Sequence, residues 1–309
     1  MNTTAERWVV AIIVCMIAAC STEEQGLDLE AYEADILQWR GERLARLKGA
    51  DGYLNLAGLF WLEEGSSRIG SAADNDIVFP AYAARYIGEL QTSAEGVVLL
   101  AEPGVDVRHE DNPVKSLLIS DDTTDNPVTI MHRSFALTAI NRDGRFALRL
   151  RDFESPAIAA FPAIDYFPID PAMRVTATLE RFDEPKVLNV DTVIEGLGYH
   201  PESPGRVAFE IGGETQALEA YASGDQLFFV FGDATSGHET YPAGRFLYAD
   251  VPGEDGKTVL DFNRAYNPPC AFNDFATCPV ASPRNRLAVR VEAGEKFDPD
   301  VHSTPDGHH

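Results

Sequence analysis

Two periods of apolar and polar positions run along this chain. In "LDLEAYEADILQWRGERLARLKG", Leu29, Tyr32, Ile36, Trp39, Leu44 and Leu47 recur at helical spacing, which puts them on one face of a helix. Asp28 stands where a side-chain acceptor caps the first free backbone N–H groups. The pattern predicts one amphipathic helix over 29–48, packed on the body that follows. Gly41 weakens its middle by about 1 kcal/mol relative to Ala. Several Glu and Asp on the polar face argue against a helix lying in a membrane surface.

From Asp51 onward the apolar runs shorten and alternate. "YLNLAGLFWL", "NDIVFP", "GVVLL", "KSLLIS" and "VTIMH" are separated by Gly, Pro, Asn and Asp, the punctuation of strands and turns. "FALTAINRDGRFALRL" is a hairpin around Asp143-Gly144. "RVTATLERF", "KVLNVDTVIEG", "RVAFEIGG", "ALEAYASGDQLFFVF", "GRFLYAD", "TVLDF" and "RLAVRV" continue the series. Together they predict an all-β fold, sandwich or barrel, behind one N-terminal helix. No long period repeats, which disfavours propellers and solenoids.

The N-terminus breaks the alternation. Residues 9–19 are all apolar, a run too short to cross a bilayer as a helix but suited to the core of a secretory signal peptide. The run ends "IAAC", which resembles the bacterial lipobox. That resemblance implies cleavage after Ala19, a lipid on Cys20, and, with Ser21 next, sorting to the outer membrane facing the periplasm. A plain signal peptide with a chance Cys is the alternative. The expected division is a signal peptide over 1–19, a tether over 20–27, and a helix plus β region over 28–115. A C-terminal β domain over 116–297 and a disordered tail over 298–309 complete it. The Pro-rich "ESPAIAAFPAIDYFPIDP" is a second candidate for the boundary.

Charge narrows the partners. A formal net charge of −24 repels phosphate backbones and excludes nucleic acid as an expected partner. Hydrophobic content of 45% supports a real core rather than a disordered chain. The expected partners are therefore the membrane, through the anchor, and a small molecule or an envelope protein; no cofactor is identified.

"SSRIGSAADNDIVFP" resembles the opening of a forkhead-associated (FHA) domain, a β-sandwich that recognises phosphothreonine. Gly70, Asn75, Asp76 and Ile77 match its turn and following strand. Ser71 stands where that family has Arg, Arg68 lies before the Gly, and the later Arg/His pair is missing, so the resemblance implies a sandwich and no phosphopeptide site. "WRGERLARLKGADGYLNLAGLFWLEEGSSRIGSAADNDI", "DATSGHETYPAGRFLYAD" and "DFNRAYNPPCAFNDFATCPVASPRNRLAVRVEAGEK" resemble the bacterial domain-of-unknown-function family 1684 over most of residues 39–296. That resemblance implies continuity of fold and supplies no reaction.

Candidate chemistry concentrates in "DFNRAYNPPCAFNDFATCP" and "GHETYPAGRF". With Cys15 removed and Cys20 lipidated, Cys270 and Cys278 are left in an oxidising compartment, where a disulfide is the leading reading. A zinc site with His238, or a Cys nucleophile paired with His109, His132, His200 or His238, stays open beside it. A calcium loop counted from Asp261 fails, because Tyr266 sits where Gly is required and Phe272 where Glu is. "GEDGKT" is too short between its glycines for a phosphate loop. Strand alternation puts Asp261 and Asn263 on one face. Glu239, Arg245, Asp261, Asn263 and Asn267 are expected to converge on one polar, ligand-binding pocket. The alternative is that they hydrogen-bond loop backbone. For function, the leading reading is an envelope-anchored ligand- or protein-binding β module of unknown biochemical role. The alternative is a hydrolase-like enzyme using Glu239, His238 and Asp261.

Overall fold

The computed structural model describes residues 27–299. The expected signal peptide, Cys20, most of the tether and the tail from residue 300 lie outside the described residues. No helix among them is long and apolar enough to cross a membrane.

Helix α1 (Leu29–Lys48) has the expected bounds, and its capping Asp28 accepts from the Ala31 N–H at 3.2 Å. Its buried stripe is Tyr32, Ile36, Arg43 and Leu47. Trp39 and Leu44 are half-buried, whereas Leu29, expected on this face, is exposed. Gly41 faces solvent with nothing near it, so it costs the helix propensity but no contact.

Eleven strands follow: β1 (Leu56–Trp61), β2 (Gly65–Gly70), β3 (Ile77–Val78), β4 (Gly88–Ser93), β5 (Gly96–Ala101) and β6 (Arg108–His109), then β7 (Asn112–Pro113), β8 (Ser116–Ile119), β9 (Thr129–His132), β10 (Phe135–Arg142) and β11 (Arg145–Asp152). They form two sheets, β1-β11-β10-β9-β6-β7 and β3-β2-β4-β5-β8. Ile69, Leu90, Val97 and Leu99 of one pack against Phe135, Leu137, Leu148 and Leu150 of the other, making a β-sandwich. The β10–β11 hairpin turns at Asp143 and Gly144, both at positive φ. That is the geometry whose twist matches paired strands. The expected break at 115/116 falls between β7 and β8, inside this core.

The core changes across the segment 153–173, which carries the five-residue helix α2 (Pro156–Ala160) capped by Ser155. Beyond it come β12 (Arg174–Val187), β13 (Val190–Asp191), β14 (Gly198–Tyr199), β15 (Glu202–Ile211), β16 (Glu214–Ser223), β17 (Gln226–Phe231), β18 (Arg245–Asp250) and β19 (Lys257–Asp261). The order β18-β17-β16-β15-β12-β19 curls into a nearly closed barrel filled by Leu218, Phe229, Phe231, Leu247, Leu260 and Phe262. At the seam between β18 and β19, the Thr258 hydroxyl donates to the Asp250 carbonyl at 2.8 Å. Helix α1 packs beside this seam.

"RLAVRV", expected as a strand, is not one. Leu287 and Val291 are buried in the barrel core, but the Val291 carbonyl accepts from the Arg245 guanidinium at 2.9 Å instead of from a neighbouring strand. Strands β2 and β4, in contrast, form where the apolar pattern is thin.

Strand β17 is buried on both faces. Phe229 and Phe231 fill the barrel, while Phe228 and Val230 lie under a cover that includes Cys270, Cys278, Ala276 and Leu56. Cys270 and Cys278 form a disulfide with their Cα atoms 6.2 Å apart. The Cys270–Cys278 pair thus staples a loop that walls the outside of the barrel and abuts the sandwich at Leu56.

Two stability changes follow. Cys270→Ser, measured by denaturant unfolding without reductant, should lower stability by about 2–3 kcal/mol, the chain-entropy value for a loop of this length; an unchanged midpoint would count against the staple. Arg43→Met leaves the buried Glu295 carboxylate, 2.9 Å away, without its cation, and should cost roughly 3–5 kcal/mol. Arg43→Met combined with Glu295→Gln should recover most of that loss, and a double variant as unstable as the single one would show that the charge is not the cause.

Candidate functional site

The polar residues of the C-terminal stretch separate into three places. Asp261 ends β19 and caps the following turn, accepting from the Asn263 N–H at 3.1 Å. The same oxygen accepts from the Tyr32 hydroxyl at 2.9 Å. Asn263 donates to the Tyr32 oxygen at 2.9 Å and to the Asp170 carbonyl at 2.8 Å, and accepts from the Asp170 N–H at 3.0 Å. Burial first, then the Asp261 carboxylate, pushes the Tyr32 hydroxyl far above its ordinary pKa, so it stays a donor to Asp261.

Arg245 lies elsewhere, wholly buried at the start of β18. It pairs with Asp233 at 2.8 Å and donates to the carbonyls of Val291 and Ala293. Burial drives its pKa down, with Asp233 opposing. A guanidinium so enclosed holds the segment beyond 286 to the barrel and is closed to any ligand. Asn267 is buried, donating its side-chain N–H to the Lys296 carbonyl at 2.7 Å and its backbone N–H to Glu295 at 2.7 Å. Glu239 sits in the outer loop, half-exposed and paired with Arg290, next to an exposed His238. Glu239, His238 and Asp261 share no hydrogen-bond or ion-pair partner. Asp261 and Asn263 are brought together; Arg245, Asn267 and Glu239 are not brought to them. Most of these side chains spend their hydrogen bonds on loop backbone, the alternative that the sequence left open.

Four residues central to this network are not among the expected site residues: Tyr32, Arg43, Asp233 and Glu295. Glu295 is fully buried, accepting from Arg43 Nε at 2.9 Å and from Asn267 N–H. Burial opposes the Arg43 cation, and Glu295 more than offsets it, so the pKa of Arg43 is raised. Arg43 also lies over the rings of Tyr266 and Phe272 and donates to the Asn267 carbonyl at 3.0 Å. One signal was available: Arg43 falls on the stripe of Tyr32, Ile36 and Leu47. A charged residue at such a position requires a buried partner.

A cleft of about 620 Å³ opens where α1 meets the barrel seam. Its helix wall carries Asp28, Ala31, Tyr32, Asp35 and Trp39; its barrel wall carries Arg174, Gln226, Tyr248, Asp250 and Asp261. Arg264 is committed to Asp35 and Asp261. Arg174 and Asp250 form no ion pair among the described residues, and Tyr248 is 40% exposed, tilted over Phe228 and parallel to Tyr266. Volumes of this size hold small organic ligands, oriented by a few polar groups.

The FHA-like stretch offers no such seat. Arg68 is held by Asp74 and Asp76, Ser71 donates to the Ala83 carbonyl, and Asn75 braces the carbonyls of Ala72 and Arg85. Among the described residues no group of three or more His, Cys, Asp or Glu is placed to hold a metal ion.

No curated protein matches this chain. An uncharacterized protein of Haloarcula marismortui, solved in solution by NMR, is 31% identical over a match covering 45% of this chain and 79% of that one, with a TM-score of 0.39. The family model described as "Protein of unknown function (DUF1684)" matches residues 159–296, which takes in the end of α2, the barrel, the stapled loop and Glu295 but neither α1 nor the sandwich. The chain belongs to the DUF1684 family of proteins of unknown function.

Proposed function

We propose that this protein is a non-catalytic binding module of the bacterial envelope. It is tethered to the outer membrane by a lipid on Cys20, and it takes a small polar ligand in the cleft between α1 and the barrel seam. The observation that carries the reading is the contrast between that cleft and the rest of the polar interior. Arg245, Asn263 and Glu295 are enclosed and engaged by the protein itself. Around the cleft, an unpaired guanidinium, an unpaired carboxylate, an amide and an open tyrosine face surround accessible volume. A rigid wall with unspent polar groups is what a ligand needs; an acid, a base and a nucleophile held together are what hydrolysis needs, and the latter set is not gathered here.

Two further features support the setting. The buried Cys270–Cys278 disulfide suits an oxidising compartment. The cleft also lies at the end of α1 that follows the tether, since Leu27 and Asp28 line it. With Cys20 lipidated, the residues between it and Leu29 span at most roughly 30 Å when fully extended, which keeps the cleft near the membrane surface.

The anchor and the cleft are tested separately. Cys20→Ser should move the processed protein from the detergent phase to the aqueous phase; a variant still in detergent rejects the lipid. For the cleft, a thermal-shift screen of small polar metabolites should give hits whose stabilisation disappears in Ala31→Trp, a change that fills the cleft from the solvent-exposed side of α1. Tyr248→Ala should weaken the same hits about tenfold, comparable to losing one aromatic contact of 0.5–1.5 kcal/mol. Hits that survive both variants, or no hit at all, would reject the cleft as the binding site.

A further inference from the structure

The face of the β10–β11 hairpin turned away from the sandwich core, partly covered where Ala136, Ile140 and Ala147 are buried, holds an unusual cluster of positive charge in a chain of formal net charge −24. Leu137, Leu148 and Leu150 point into the sandwich core; the β10–β11 register therefore turns Thr138 and Arg142 of β10, with Arg149 and Arg151 of β11, to the opposite face. Arg142 spends its charge on Asp122, two nitrogens on two oxygens at 2.9 and 2.7 Å. Arg151 donates to the Gly52 carbonyl and to the Asn55 side chain, bracing the segment between α1 and β1.

Arg149 stands between them with no carboxylate in direct contact among the described residues. Its guanidinium makes no hydrogen bond or ion pair among the described residues, and its Nε is sealed from solvent without an acceptor. Burial, then the neighbouring Arg142, pulls its pKa down to about 10, so it remains a cation at neutral pH. Of the nearby carboxylates, Asp122 opposes that shift from a distance while its own hydrogen bonds go to Arg142, and Asp51 acts on Arg151 from the exposed linker. A half-buried guanidinium hemmed by two others is held at an energetic disadvantage unless an anion joins it. Directly across the hairpin stands Thr138, half-buried and able to donate a hydroxyl.

We infer that Arg149 is the centre of an oxyanion-binding site on this face of the hairpin, taking a phosphate, sulfate or carboxylate group with Thr138 beside it. Arg142 and Arg151 supply the surrounding positive field while their own donors stay on Asp122 and the linker. This site is separate from the α1 cleft and does not depend on it. Fork-like guanidinium donors match planar or tetrahedral oxyanions, which identifies the class of group rather than one molecule.

The test is thermal unfolding of the full exported chain in sodium phosphate, sodium sulfate and sodium acetate against sodium chloride at equal ionic strength. One or more of the three should raise Tm with a midpoint in the low millimolar range, since a ligand that binds only the folded state stabilises it by mass action. Arg149→Met removes the unpaired charge but keeps the packing stem. It should melt higher than the parent in chloride and lose the oxyanion response at least tenfold. Thr138→Glu supplies a carboxylate opposite Arg149 and should likewise stabilise the chloride form and abolish the response. Parent protein that responds to no oxyanion beyond chloride overturns the site, and so does an undiminished response in either folded variant.

Discussion

Everything in the second half of this molecule is arranged around one carboxylate that water does not reach. Glu295 stands near the end of the described chain, yet it receives the Arg43 guanidinium from the first helix and the Asn267 N–H from the stapled loop. A buried carboxylate without partners would cost several kcal/mol. The helix, the loop and the terminal segment are therefore obliged to arrive together. Tyr32 on Asp261 repeats the arrangement about three turns earlier on the same helix. The two contacts fix α1 beside the open seam of the barrel, and the cleft is the space left between them and the solvent side of β18 and β19.

The sequence made the regular parts legible because their apolar spacing is driven by burial. Helix α1, the hairpin at Asp143-Gly144, and most strands announce themselves that way. Strands β2 and β4 did not, since "GSSRIG" and "GELQTS" each offer a single large apolar residue, Ile69 and Leu90, and take their pairing from neighbours. "RLAVRV" has the right composition for a strand, but Arg245 and the loop at Gly232 and Ala234 occupy its backbone groups. Composition reports what is buried, not which partner takes the backbone.

The candidate site was less legible for a related reason. Asp261 and Asn263 lie together through a cap on the turn after β19 rather than through strand alternation, and alternation is silent on reach. Arg245 and Asn267 are sequence neighbours of those residues and are turned toward carbonyl groups that no side-chain motif records. Arg174, Gln226 and Tyr248, which line the cleft, look like ordinary strand residues in the sequence. A cleft made by a helix lying against a seam depends on contacts between residues far apart in the chain, and local patterns do not encode those. The residues richest in chemical suggestion are mostly structural, and the open polar groups belong to residues that drew no notice.

The double burial of β17 has a consequence for how the chain is made. "QLFFVF" is a run of high strand propensity without charge, the composition of an aggregation-prone segment whenever it is uncovered. Its inner face is closed by neighbouring strands soon after it emerges. Its outer face waits for residues 270–281, and the helix that seals the same half waits for Glu295. Synthesis runs from the N-terminus, so Phe228 and Val230, flanked by Leu56, Tyr221 and Phe246, stay incompletely covered until residues 270–281 follow. A stretch translated after β17 completes the cover that keeps the middle of the protein safe from its own copies, and a nascent chain cut short before it would carry a sticky strand only partly hidden.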